Sequence, residues 1–161
     1  MNEKLNTLFF AEGTLGRLAV YLRMMGFDTV FENDPSAWLR FGARTYLTRK
    51  KKVFEKSVSG MVVFIRSDDP EAQAAQVVRE LGLSDKDLPG MKLFSRCVKC
   101  NAPIEIVEKD DVFGMVPQYI FDTHTDFRRC PACRKVYWRG DHVDRGMKLI
   151  KEIFRRASEN E

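Results

Sequence analysis

Two Cys-x-x-Cys pairs, Cys97-Val98-Lys99-Cys100 and Cys130-Pro131-Ala132-Cys133, hold every cysteine of the chain. Each pair is a knuckle able to present two thiolates, and two knuckles supply the four corners of a tetrahedral structural zinc site. Two disulfides or a redox pair are the alternatives. The N-terminus lacks the charged-then-apolar order of a secretory signal, which argues against the first, and the duplication of the pair argues against the second. The expectation is therefore a small module folded around one zinc held by Cys97, Cys100, Cys130 and Cys133.

Upstream of the knuckles, apolar runs alternate with helical patterns. Leu5 to Phe10 reads as a strand, and Thr14 can cap a helix whose apolar face is Leu15, Leu18, Ala19, Leu22 and Met25, with Gly26 closing it. Phe27 to Phe31 is a second strand, Asp34 to Phe41 a short helix, Arg44 to Leu47 a third strand and Met61 to Ile65 a fourth. Pro70 opens a helix through Leu81. Such alternation predicts an α/β fold, a mostly parallel sheet with helices on both faces, over residues 1–90. Residues 91–161 then form the zinc-ribbon module with a C-terminal helix. Phe113 to Phe121 is expected to supply the ribbon's long hairpin. Val143, Met147, Ile150 and Phe154 make an apolar stripe that docks the last helix onto its own protein.

The 161 residues carry a formal net charge of +4, which permits a polyanionic partner without demanding one. No apolar run is long enough to cross a bilayer, so a membrane role is not expected and the location read from the sequence is cytoplasmic.

Several motifs together resemble one family. Phe10-Ala11-Glu12-Gly13-Thr14-Leu15-Gly16-Arg17-Leu18-Ala19, Leu47-Thr48-Arg49, Arg96-Cys97-Val98-Lys99-Cys100-Asn101, Phe127 to Cys133 and Tyr137-Trp138-Arg139-Gly140-Asp141-His142 resemble, in this order, the Mut-seven C-terminal RNase family. That resemblance implies a PIN-like nuclease domain joined to a zinc ribbon. It also implies clustered acids at the carboxyl edge of the sheet that hold magnesium or manganese for RNA hydrolysis. Hydrolysing a phosphodiester needs such a hard cation, bound by oxygen ligands, to activate water and neutralise the leaving oxygen.

The acids depart from the family's pattern. Its first Asp is Glu12 here, its second is best matched by Asp34, and the Asp expected directly after Leu-Thr-Arg is Lys50, whose ammonium cannot ligate a metal. Asp69, with Asp68 beside it, could supply another ligand, so the candidate catalytic set is Glu12, Asp34 and Asp69. Asp34 and Asp69 each precede a proline and suit helix capping equally well. Glu12 belongs in the pocket, paired with Lys50 or with a metal. Near the knuckles Arg96, Arg128, Arg129 and Arg139 stand with Tyr137 and Trp138, a mixture suited to single-stranded RNA, although a solvated ribbon with its aromatics inside would look the same. His124 and His142 are not needed for zinc. Two functions follow: a metal-dependent ribonuclease impaired by Lys50, or an inactive relative that binds RNA or a protein without cutting.

Overall fold

The computed structural model describes residues 3–56 and 61–159. Four strands, β1 (Phe9–Glu12), β2 (Thr29–Glu32), β3 (Thr45–Thr48) and β4 (Val62–Phe64), form a parallel sheet in the order β2-β1-β3-β4. Strand β1 runs in register with both neighbours, Ala11 lying beside Phe31 and Leu47. The first strand starts and ends later than the apolar run suggested. Leu5 lies in a 3-10 turn over Glu3–Asn6, and Glu12, read as lying just past the strand, is its last residue, paired in register with Glu32.

Side chains alternate across a strand, so each strand feeds two cores. Phe9, Ala11 and Leu47 face a thick layer made by α1 (Gly16–Met24), α3 (Pro70–Glu80) and α5 (Asp141–Glu159). Phe10, Tyr46 and Val62 face a thinner one, made by a 3-10 helix over Pro35–Phe41, which supplies Ala37 and Trp38, and by α2 (Lys51–Lys56), which supplies Val53. Helices therefore cover both faces, as expected of α/β alternation. Thr14 does not cap α1. It lies in a preceding 3-10 turn, and its hydroxyl donates to Glu12 instead. Gly26 closes the helix at φ +92°, where a Cβ would come within 2.4 Å of the Lys92 carbonyl, so only glycine fits that turn.

The last helix packs on the first core. Ile150, Ile153 and Phe154 are buried there beside α3, and burying three such side chains contributes about 6 kcal/mol before ordering costs. The apolar stripe of α5 thus serves packing.

A second sheet, β5 (Glu105–Val107), β6 (Phe127–Arg129) and β7 (Val136–Trp138), is antiparallel and carries the knuckles. The hairpin expected over Phe113 to Phe121 is absent. A 3-10 turn over Lys109–Val112 precedes that stretch, and a short helix α4 (Gln118–Thr123) occupies its later part. The reason is periodic: Val112, Val116 and Ile120 recur every four residues, and they pack together with Phe127 and Trp138 in a separate small core, while Pro117 starts α4. Among the described residues no helix is long and apolar enough to cross a membrane.

Candidate metal centre and the carboxyl edge of the sheet

The four cysteine sulfurs converge within 4.8 Å of one another, with Cys97 Sγ 3.6 Å from Cys133 Sγ and Cys100 Sγ 3.3 Å from Cys130 Sγ. Tetrahedral zinc with bonds of about 2.3 Å requires sulfurs about 3.8 Å apart, so the donor set fits a zinc ion with little adjustment. Metal-free, Cys97 and Cys100 do not ionise alike. Burial disfavours the Cys97 thiolate, but the Tyr137 hydroxyl, which donates to it at 3.0 Å, and the Cys100 and Lys99 N–H groups outweigh that and lower its thiol to about 6. Cys100 has help from the Ala102 N–H, yet burial and the neighbouring sulfurs raise it to about 12. A divalent cation removes this conflict by taking all four as thiolates.

The first knuckle is bolted to the start of β2. Asn101, at φ 71°, accepts from the Thr29 N–H at 2.9 Å and donates to Asp28 at 2.8 Å, while the Arg23 guanidinium reaches the Val98 carbonyl at 2.9 Å, the Lys99 carbonyl at 3.2 Å and the Thr29 carbonyl at 2.9 Å. Asp28 also pairs with Arg44 at 2.6 Å and Arg96 at 3.3 Å. Burial works against its charge, but these partners hold its carboxyl below the usual range. The metal module therefore docks at the edge where the parallel strands begin, opposite the edge where the acids were sought.

At the carboxyl edge, Glu12 is 1% exposed and shares the face of Phe10 and Tyr46. Its Oε1 accepts from the Arg49 N–H at 2.8 Å and the Thr14 hydroxyl at 3.2 Å, and its Oε2 from the Thr48 hydroxyl at 2.9 Å and the Tyr46 hydroxyl at 3.3 Å. Burial and the Glu12 charge push Tyr46 up to about 12, which keeps its proton on the phenol and donating. An ionised carboxylate has about four lone-pair sites, and four donors fill them. Glu12 is thus a tie between the ends of β1 and β3. Lys50, exposed just before α2, makes no ion pair with it among the described residues; the pairing of Glu12 with Lys50, one of the two roles the sequence left open, is replaced by neutral donors.

The remaining acids do not gather around Glu12. Asp34 is exposed and caps the 3-10 helix, accepting from the Ser36 N–H at 2.9 Å and the Ser36 hydroxyl at 2.7 Å, bonds that lower its carboxyl pKa. Asp69 caps α3 and pairs with Arg156 of α5 at 2.8 Å, and Asp68 pairs with Arg49. The cysteines form the one cluster of three or more metal-ligating side chains among the described residues. These acids do not fit the oxygen-ligand cage that magnesium or manganese needs.

The residues read as RNA contacts are divided in use. Arg96 is held by Asp28 and donates to the Asn101 carbonyl at 2.8 Å, and Arg129 donates to the Asp111 carbonyl at 3.2 Å. Tyr137 lies against the cysteines. Trp138 packs in the small core with His142 edge-on at 5.7 Å, and His124 contacts the Thr123 hydroxyl at 2.9 Å. Arg128 and Arg139 are exposed. Sequence reading missed Tyr46, Thr48, Arg23 and Asn101. The period-two alternation placing Phe10, Glu12, Tyr46 and Thr48 on one face could have found the first two.

The family model described as the Mut7-C RNAse domain matches residues 7–150. No curated protein and no solved structure matches the chain.

Proposed function

The chain belongs to the Mut7-C RNAse domain family, and from that membership we propose that it is an RNA-binding protein on a PIN-like nuclease scaffold in which metal-dependent hydrolysis has lapsed. The observation that carries this reading is the state of Glu12, whose four lone-pair sites are already filled. Lys50 adds to it, because a cation occupies the sequence position of an expected metal ligand. Zinc held by Cys97, Cys100, Cys130 and Cys133 supplies a structural cross-link and no chemistry on the substrate. Its thiolates need a reducing compartment, which accords with the cytoplasm. The exposed Arg128 and Arg139 are available for phosphates of single-stranded RNA.

The other reading, an active ribonuclease, is favoured by Glu32, which is exposed and in register beside Glu12 with Asp34 two residues on. Two assays on a labelled single-stranded RNA separate them: binding without divalent cations, and cleavage with magnesium or manganese. The expected result is salt-sensitive binding without cleavage, and cleavage gained on combining Lys50→Asp with Glu12→Asp. Cleavage by the native protein that is lost in Glu12→Ala refutes the lapsed site, and absence of binding at low salt refutes the RNA-binding role.

A further inference from the structure

Tyr137 and Trp138, the aromatics read as RNA contacts, are committed to the cysteines and to the small core, yet exposed aromatic surface bordered by cations does occur where α2 meets β4. There a cleft of about 370 Å³ is lined chiefly by Lys51, Phe54, Glu55, Phe64, Arg66 and Glu80. Phe54 is 43% exposed, and its ring lies 6.0 Å from that of Phe64, so the two make an apolar wall. The volume sits at the small end of ligand sites, enough for one nucleotide and not for a duplex. Lys51 and Arg66 are exposed at the cleft, and Lys50 and Lys52 adjoin it in sequence.

An edge strand such as β4 could instead recruit a peptide strand. Gln76 opposes that. Its amide donates to the Phe64 carbonyl at 2.8 Å and accepts from the Arg66 N–H at 3.1 Å, occupying two of the outward backbone groups that a pairing strand would use.

Building on the RNA-binding reading above, we infer that this cleft takes one base of single-stranded RNA, stacked on Phe54, with its phosphates met by Arg66 and the Lys50–Lys52 run. Glu55 and Glu80 repel phosphate, which makes them a fault in a site for backbone alone. Glu55 is partly neutralised by Lys51 at 3.7 Å. Both carboxylates accept hydrogen bonds from an exocyclic amine, which cytosine and adenine carry and uracil lacks. The occupant is therefore an amino-bearing base. Arginine and lysine supply the salt-sensitive part of the affinity, and the aromatic wall supplies the part that survives salt.

The test is fluorescence anisotropy of end-labelled oligocytidine and oligouridine hexamers with the zinc-loaded full chain. Oligocytidine is expected to bind at least about fivefold more tightly. Phe54→Ala should weaken oligocytidine about tenfold, Arg66→Gln should lower the slope of log affinity against log salt by about 0.7, and Glu80→Ala should erase the preference for cytosine. All three side chains are exposed, and unchanged urea midpoints certify the variants. Oligocytidine affinity unchanged in both Phe54→Ala and Arg66→Gln, or lost instead in Arg128→Gln with Arg139→Gln, overturns the cleft while leaving RNA binding intact. Failure of the native protein to bind either hexamer overturns the proposed function together with it.

Discussion

Replacing Glu12 by alanine distinguishes a structural tie from a metal ligand, because the two roles give opposite signs in stability. A carboxylate kept for metal binding costs stability in the metal-free protein, so removing it is neutral or stabilising. A tie behaves otherwise. Glu12→Ala leaves the Arg49 N–H, donating at 2.8 Å, and the Thr48 hydroxyl, donating at 2.9 Å, without their acceptor, and loosens the weaker bonds from Thr14 and Tyr46. A buried donor stripped of a charged acceptor costs about 1–3 kcal/mol. Allowing for rotation of the hydroxyls to other partners, the expected loss is about 3–5 kcal/mol, a large share of a total of roughly 5–15 kcal/mol. For a chain of this length the melting temperature should fall by roughly 10 °C. Glu12→Gln keeps one acceptor oxygen and should lose about half as much. The assay is urea unfolding of zinc-loaded protein without added magnesium. A Glu12→Ala variant as stable as the native chain would refute the tie and return Glu12 to the metal-site reading.

The purified protein should carry about one zinc per chain, and Cys97→Ser or Cys130→Ser should release it; metal analysis of protein kept reduced checks this. Asn101→Ala removes the bonds to Thr29 and Asp28 from a residue at φ 71°, so a loss of about 2–3 kcal/mol is expected in urea unfolding. Asp28 has a folded-state pKa below the usual value. The stability from its charge is therefore fully present above about pH 4, where the unfolded carboxyl is ionised, and is lost as pH falls through the lower folded value. Acid unfolding followed by circular dichroism should show a shallower fall below about pH 4 in Asp28→Asn than in the native protein.

The parallel sheet was legible because its strands are short runs built on Phe, Val, Tyr and Leu and separated by helical spacing, and the metal centre because cysteine pairs leave few alternatives. The end of β1 was not legible. Nothing in Ala11-Glu12-Gly13 marks a glutamate as strand or loop, and what draws it into the strand is registry with Glu32 and donors from β3, which are long-range pairings. The missing hairpin had a visible signal in the four-residue recurrence of Val112, Val116 and Ile120, but it was outweighed by expecting a ribbon to be all strand. The arginines illustrate a different limit. Arg96 and Arg128 look alike in sequence, and only the docking of the first knuckle onto β2 spends one on Asp28 while leaving the other in solvent.

The hydrogen-bond chain at position 50 decides how the site proposed to have lapsed is to be reopened. The Lys50 N–H donates to the Thr48 hydroxyl at 2.9 Å, and that hydroxyl donates to Glu12 at 2.9 Å. The backbone of residue 50 therefore supports the tie whatever its side chain, and Lys50→Asp by itself should leave Glu12 held. It places an acid at the edge but frees no lone pair for a cation, so its gain in magnesium affinity should be small. Glu12→Asp withdraws the carboxylate by one methylene from donors fixed on β3, which weakens the tie and exposes acceptor sites. Only the double variant combines a new acid with a released one. Isothermal titration with magnesium should accordingly show little change in either single variant and a more than additive gain in the pair, the signature of two groups acting as one site. Full gain from Lys50→Asp alone would mean that the lysine was the whole obstacle, and that Glu12 gives up its four donors to a metal without help.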